Sequence, residues 1–262
     1  LMEKLRAKEH IYRGQIDPYA VTHPLSKERI ANIRGHLLRK NKTEGAPDSR
    51  TIERHARVLG KLKGFIHDPQ LTLNNTPDTG ISNKIARIVA YHRQSKTDKA
   101  LAEISNLLKQ EPSNVYLIEL KGQILAESGK QIEALPYYKK SIELLPESGL
   151  LRTDYARMLM AQPQANFALA AQNLQKASQQ DATNSMTWQL LGQAEAKLGQ
   201  GGKAALAYAE ASLLRNEAQL ARRYATEALE KLPKNSPALL RAQDAREEAI
   251  RLQKKKEENA SS

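Results

Sequence analysis

From Ile81 onward apolar positions recur at helical spacing, and the whole pattern then recurs at a longer one. Ala100, Ile104, Leu107 and Pro112 lie 34 residues before Ala134, Tyr138, Ser141 and Pro146. Ile88 and Tyr91 precede Ala100 by the offsets at which Gly122 and Leu125 precede Ala134. Each period predicts two helices joined by a turn. Antiparallel helices cross closely only where small side chains face each other, and bulky ones fill the gaps between pairs. Proline ends the second helix because it lacks an N–H and clashes with the preceding turn.

A 34-residue helix–turn–helix period is the tetratricopeptide (TPR) signature. The expected fold class is all-α, a TPR-like solenoid of helical pairs. The repeats read as 81–114, 115–148, 149–184 and 185–214, with a further one overlapping at 202–235. Tyr155, Ala156 and Leu159 mark the third, followed by Ala170, Leu174 and Ala177. Ala170 lies 36 residues after Ala134, so two extra residues are placed at the turn Gln162-Pro163-Gln164. Trp188, Leu191 and Gly192, then Ala204 and Tyr208, mark the fourth, with Trp188 expected in the core. Ala221, Ala225, Ala228 and Pro233 fit one more second helix, so the helix near 203–214 serves two repeats. Ser236 and Pro237 suit an N-cap and a first helical position. They open a last helix to about Lys254, and residues 236–262 read as a polar cap with a frayed tail.

Before the repeats the period is lost. Leu1, Leu5 and Ile11 predict a short amphipathic helix closed by Gly14. Ser26 caps a second, with Ile30, Ile33, Leu37 and Leu38 on one face, and Ser49 caps a third over about 50–64. Residues 65–80 hold Pro69, Asn74-Asn75, Pro77 and Gly80 and read as a connecting loop. The domains are therefore expected at 1–64, 65–80, 81–235 and 236–262.

Composition narrows this only a little. The chain of 262 residues has no cysteine, which excludes disulfides and thiolate metal sites without choosing a compartment. No run of 18 apolar residues is present to span a membrane. The net charge of +12 is denser toward the N-terminus, where residues 1–80 carry 15 Lys/Arg against 9 Asp/Glu. Such an excess fits nucleic acid or an anionic membrane surface. It fits solvated helix faces equally well, and no nucleic-acid partner is expected. No signal-peptide pattern opens the chain; it begins inside an amphipathic helix, and a piece of a longer protein is expected.

The six histidines, His10, His23, His36, His55, His67 and His92, form no H-E-x-x-H motif. No phosphate-binding loop or nucleophile elbow occurs. The candidate site is instead the groove of the solenoid, lined by positions 2, 5, 9 and 12 of the first helices. That selects Tyr116, Glu119 and Gln123, then Arg157 and Met160, then Met186, Gln189 and Gln193. Amide, apolar and oppositely charged groups together suit extended or partly unfolded polypeptide better than a phosphate backbone. Ordinary exposed helix residues would give the same set.

One segment stands apart, Thr22-His23-Pro24-Leu25-Ser26-Lys27-Glu28-Arg29-Ile30. Thr-His-Pro, a short spacer and Arg-Ile opening a helix resembles the stretch after the zinc site in the forty-eighth metallopeptidase family, the H-E-x-x-H gluzincins. Met2-Glu3-Lys4-Leu5 and Asp17-Pro18 look like the same region. Ala90-Tyr91, Glu119 to Leu125 and Arg241-Ala242-Gln243-Asp244 resemble the TPR tail of its periplasmic, BepA-like members. The resemblance covers nearly the whole chain. It implies a periplasmic zinc protease with chaperone-like activity in outer-membrane protein quality control. Its clients would be unfolded or misassembled polypeptides, and its partner the outer-membrane assembly machinery; peripheral membrane association stays open. The H-E-x-x-H helix and the further Glu ligand are not in this sequence, so this chain lacks a complete zinc site and is expected to be inactive alone. The resemblance gives His23 and Arg29 accessory catalytic roles, His23 touching the metal or gating the cleft and Arg29 hydrogen-bonding nearby. A loop histidine held by Pro24 with no zinc contact is the other reading. The alternative for the whole chain is a non-enzymatic TPR scaffold that binds partner proteins.

Overall fold

The structure is a computed structural model, and it describes residues 48–77 and 79–260. Contacts divide the chain into two units, Leu1–His55 and Ala56–Ser262. Of the first, only residues 48–55 are described, and they form the opening turns of α1 (Ser49–Ile66). His23 and Arg29 lie outside the described residues.

The described residues hold twelve helices and no strand. After α1 come α2 (Pro69–Asn75), α3 (Ile81–Arg93), α4 (Thr97–Gln110), α5 (Val115–Glu127) and α6 (Gln131–Leu144). Then follow α7 (Gly149–Met160), α8 (Phe167–Gln180), α9 (Ser185–Lys197), α10 (Gly201–Leu214), α11 (Ala218–Lys231) and α12 (Pro237–Ala260). The fold is the all-α, TPR-like array that the 34-residue period predicts. Its first helices are α3, α5, α7 and α9; their partners are α4, α6, α8 and α10.

Local chemistry sets the alternation. Asn114, Ser148 and Asn184 accept hydrogen bonds from the first free N–H groups of α5, α7 and α9. Within most pairs the turn is three residues and uses one left-handed residue, Ser95, Gly129 or Gly199, and Asn216 does the same between α10 and α11. Between α7 and α8 the connection is six residues, 161–166, while α7 is one residue shorter than α5. This accounts for the 36-residue spacing and puts the insertion at Gln162-Pro163-Gln164.

The close contacts between paired helices are built on small residues. A Cβ at Gly122 would lie 3.2 Å from the Tyr138 ring, and one at Gly192 only 2.5 Å from the Tyr208 ring. Ala156 and Ala170 are fully buried in the same cluster. That cluster runs from Leu125 to Ala211 and contains Trp188, which is 5% exposed. The Trp188 indole N–H donates to the Ala182 carbonyl at 2.9 Å, and the Arg241 guanidinium of α12 lies 4.6 Å from its ring centroid.

Helix α10 is buried along most of its length, with Lys203 and Leu214 its exposed residues. Ala207 and Ala211 pack into the Trp188 cluster. Ala205 and Leu206 pack with Ala228, Leu232 and Ala242, and Ala209 with Ala225 and Ala245. A helix apolar on more than one side needs a neighbour on each, and α10 packs on α9, α11 and α12. This is why its sequence fits two repeat registers at once.

Two segments differ from the sequence reading. The connection expected at 65–80 begins later, because α1 runs to Ile66, and it contains α2. Seven residues give no periodicity, but Asp68 accepts from the Leu71 N–H at 2.8 Å and Pro69 suits the first helical position. The terminal helix continues to Ala260, past the Lys254 at which fraying was expected.

Three substitutions test the register. Trp188→Ala should cost about 3–5 kcal/mol in chemical denaturation, as truncation of a large buried aromatic does. Gly192→Ala should cost about 1–3 kcal/mol by overpacking against Tyr208, and more than Gly122→Ala, whose neighbour stands farther off. Equal melting temperatures for the two glycine variants would contradict the geometry at Tyr208.

Candidate functional site

Positions 2, 5 and 9 of the first helices face the groove in a TPR register, and they divide sharply along the chain. In α3 they are Ser82, Ile85 and Val89, with Ile85 and Val89 buried. In α5 they are Tyr116, Glu119 and Gln123; in α9, Met186, Gln189 and Gln193. The apolar set of α3 is covered by α1. A Cβ at Gly60 would come within 2.4 Å of the Ser82 carbonyl oxygen, and one at Gly64 within 2.5 Å of Val89 Cβ. Only glycine permits so close an approach. Arg57 of α1 holds both carboxylate oxygens of Glu111 at 2.7 and 2.9 Å. Arg93 of α3 donates to the Gly64 and His67 carbonyls at the end of α1.

Beyond α3 the groove face is open. Tyr116 is 67% exposed, Leu150 61% and Met186 55%. All three are position 2 of successive repeats, so they form one apolar row. Leu150 was not among the expected site residues, although the register places it there. Gln193 and Arg157 are exposed, and Arg157 pairs with Asp154 at 3.1 Å. Gln123 donates to Glu127 at 2.8 Å, and Gln189 accepts two bonds from Arg215 at 3.1 Å. Met160 is half-buried and packs on the central cluster, so it supports the groove floor more than it lines it. Thr153, position 5 of α7, is buried and hydrogen-bonded to Thr187 at 2.8 Å.

A network of charges separates the covered and open segments. Lys61 of α1 reaches Glu119 at 3.1 Å. Burial raises the Glu119 carboxyl above its usual range, and Lys61 pulls it back in part. Asp154 is likewise raised by burial against the pull of Arg157. Glu127 also feels burial, but hydrogen bonds from His92 at 2.7 Å and from Gln123 outweigh it and lower its pKa. Glu119 with Lys61 and Asp154 with Arg157 are ion pairs, and the exposed apolar row stands open beside them. Among the described residues no group of three or more His, Asp or Glu could hold a metal ion. No helix among them is long and apolar enough to cross a membrane.

Known proteins agree with the geometry. Two solved structures of MamA, from AMB-1 and MSR-1, share the fold with TM-scores of 0.51 and 0.50. They are 16% and 15% identical and cover 62% and 65% of this chain and 98% and 99% of their own. The chain is therefore a TPR-like helical-repeat protein. In sequence it is similar to a Vibrio cholerae serotype O1 protein named "Putative beta-barrel assembly-enhancing protease". The two are 24% identical over 256 residues, which is 95% of this chain and 52% of that protein. This match supports the resemblance read from Thr22-His23-Pro24 and the repeats. The chain spans about half the length of that relative. No protein-family model matches it.

The electrostatics of Glu119 give a direct test. Replacing Lys61 by Met should raise the Glu119 pKa further, seen as a later carboxyl shift in an NMR pH titration. The sign for stability follows. A carboxyl that protonates more readily folded than unfolded opposes folding while ionised, so stability should rise as pH falls through its folded pKa and level off below the ordinary carboxyl value. Glu119→Gln should remove that gain.

Proposed function

We propose that this chain is the TPR portion of a zinc-dependent metalloendopeptidase and recruits polypeptide to it. The observation that carries the reading is the match over 95% of the chain to a protein named as a beta-barrel assembly-enhancing protease. The open row of Tyr116, Leu150 and Met186 supplies the surface that recruitment needs. Side chains spaced one repeat apart along a groove suit an extended or partly unfolded segment, whose apolar groups are available to bury. Clients would be unfolded or misassembled polypeptides, and the partner the outer-membrane assembly machinery, which places the protein in the periplasm. No H-E-x-x-H motif occurs in this sequence, so in this reading the metal, and the water it would activate, are held by the catalytic part of the longer protein. What this chain contributes is proximity. Holding a client raises its effective concentration at the catalytic centre. Residues 1–40 would complete the protease part, with His23 and Arg29 beside its cleft.

The double substitution Tyr116→Ala, Met186→Ala should weaken binding of a permanently unfolded polypeptide about tenfold, or 1.4 kcal/mol, with helix content unchanged. In the longer protein the same change should raise KM and leave kcat alone, because it removes binding remote from the reacting bond. Unchanged KM and affinity would sink the assignment of the groove.

A further inference from the structure

The covered face of α3 carries a second binding surface. We propose that Ser82, Ile85 and Val89 form a polypeptide-binding segment of the same groove, and that α1 is its intramolecular occupant, displaced by a client that fills the groove. The proposal rests on the recruitment reading above and extends it by one repeat.

Three observations carry it. First, α1 sits on positions 2, 5 and 9 of α3, the same positions that line the open groove in the next repeats. A ligand running along Met186, Leu150 and Tyr116 meets α1 at its next step. Second, the present cover closes the seat with little apolar side chain of its own. Ile85 and Val89 are approached by Gly60 and Gly64, which bring backbone close but bury little apolar area of their own. The bulky side chains Val58, Leu59, Leu62 and Ile66 of α1 are exposed, and only Phe65 of α1 packs against the cluster that contains Ile85 and Val89. Ile85 and Val89 are already buried beneath α1, so a client has to restore that cover and can add the burial of its own larger side chains. Third, the seat under α1 holds an unmet polar group. The Ser82 hydroxyl oxygen is buried without a hydrogen-bond partner, a cost that departure of α1 relieves.

The absence of cysteine makes this measurable. Ser82→Cys introduces a single thiol, which sits under α1 and replaces a hydroxyl that has no partner to lose. In the full chain this thiol should react with a small aromatic disulfide at least about tenfold more slowly than free cysteine, because reaction waits on local opening. Saturating reduced, carboxymethylated α-lactalbumin, a permanently unfolded probe, should accelerate the reaction several-fold. Adding Gly64→Leu should make labelling fast without the probe and tighten probe binding about tenfold, since the internal competitor is gone. If Gly64→Leu lowers the helix content, Lys61→Glu serves instead; it sets like charges against Glu119 without touching the packing and should act in the same direction. Labelling indifferent to a probe that does bind, with the α1 variants leaving its affinity unchanged, overturns the displacement and leaves recruitment standing. A probe that binds neither the parent chain nor the variants overturns both.

Discussion

The structure depends on how closely two helices can approach. Within each pair that distance is set where a small residue meets a bulky one, as Gly122 meets the Tyr138 ring and Gly192 the Tyr208 ring. Everything that repeats follows from it. The small residue fixes the crossing and the bulky one fills the gap to the next pair. The caps at Asn114, Ser148 and Asn184 start each first helix at the same phase. Because contacts run mostly between neighbours, the array tolerates the six-residue turn at 161–166 without losing its order.

The same constraint explains the attachment of α1. From Ala56 onward α1 belongs to the repeat unit and is held by Gly60 and Gly64. A helix that packs through glycines leaves its large apolar residues pointing elsewhere. A sequence reading that follows Ile52, Val58, Leu59 and Leu62 finds the helix but not the face that docks. The informative signal was the pair of glycines four residues apart. Glycine in mid-helix is costly unless another backbone approaches there.

Most of the repeat array was legible because its code is periodic. Ala100 against Ala134 gave the pair, and the later offset to Ala170 located the insertion. Ambiguity arose at α10, where both faces are apolar and two registers are physically true at once. Helix α2 escaped because seven residues complete too few turns to show a period. The groove was harder to read. Tyr116, Met186 and Gln193 are exposed as their register positions imply. Met160 turned inward, and Leu150 was passed over beside the buried Thr153. In α7 the residue at position 5, Thr153, is buried, while positions 2 and 9 are exposed as in α9.

What distinguishes the covered segment of the groove from the open one is polarity at equivalent positions. Ile85 and Val89 in α3 become Glu119 and Gln123 in α5, and Gln189 and Gln193 in α9. Apolar residues at the first pair of positions require a cover, and the chain supplies one in α1. Polar residues at the later pairs can stand in water and exchange that water for a ligand, while Tyr116, Leu150 and Met186 beside them provide apolar area. Glu119 stands at the junction, desolvated by the fold and partly compensated by Lys61. A carboxylate buried to that degree gains when α1 presents a cation and loses when α1 leaves without replacement. A client that enters past Tyr116 must therefore bring its own cation to Glu119 or bury enough apolar surface on Ile85 and Val89 to outweigh that loss.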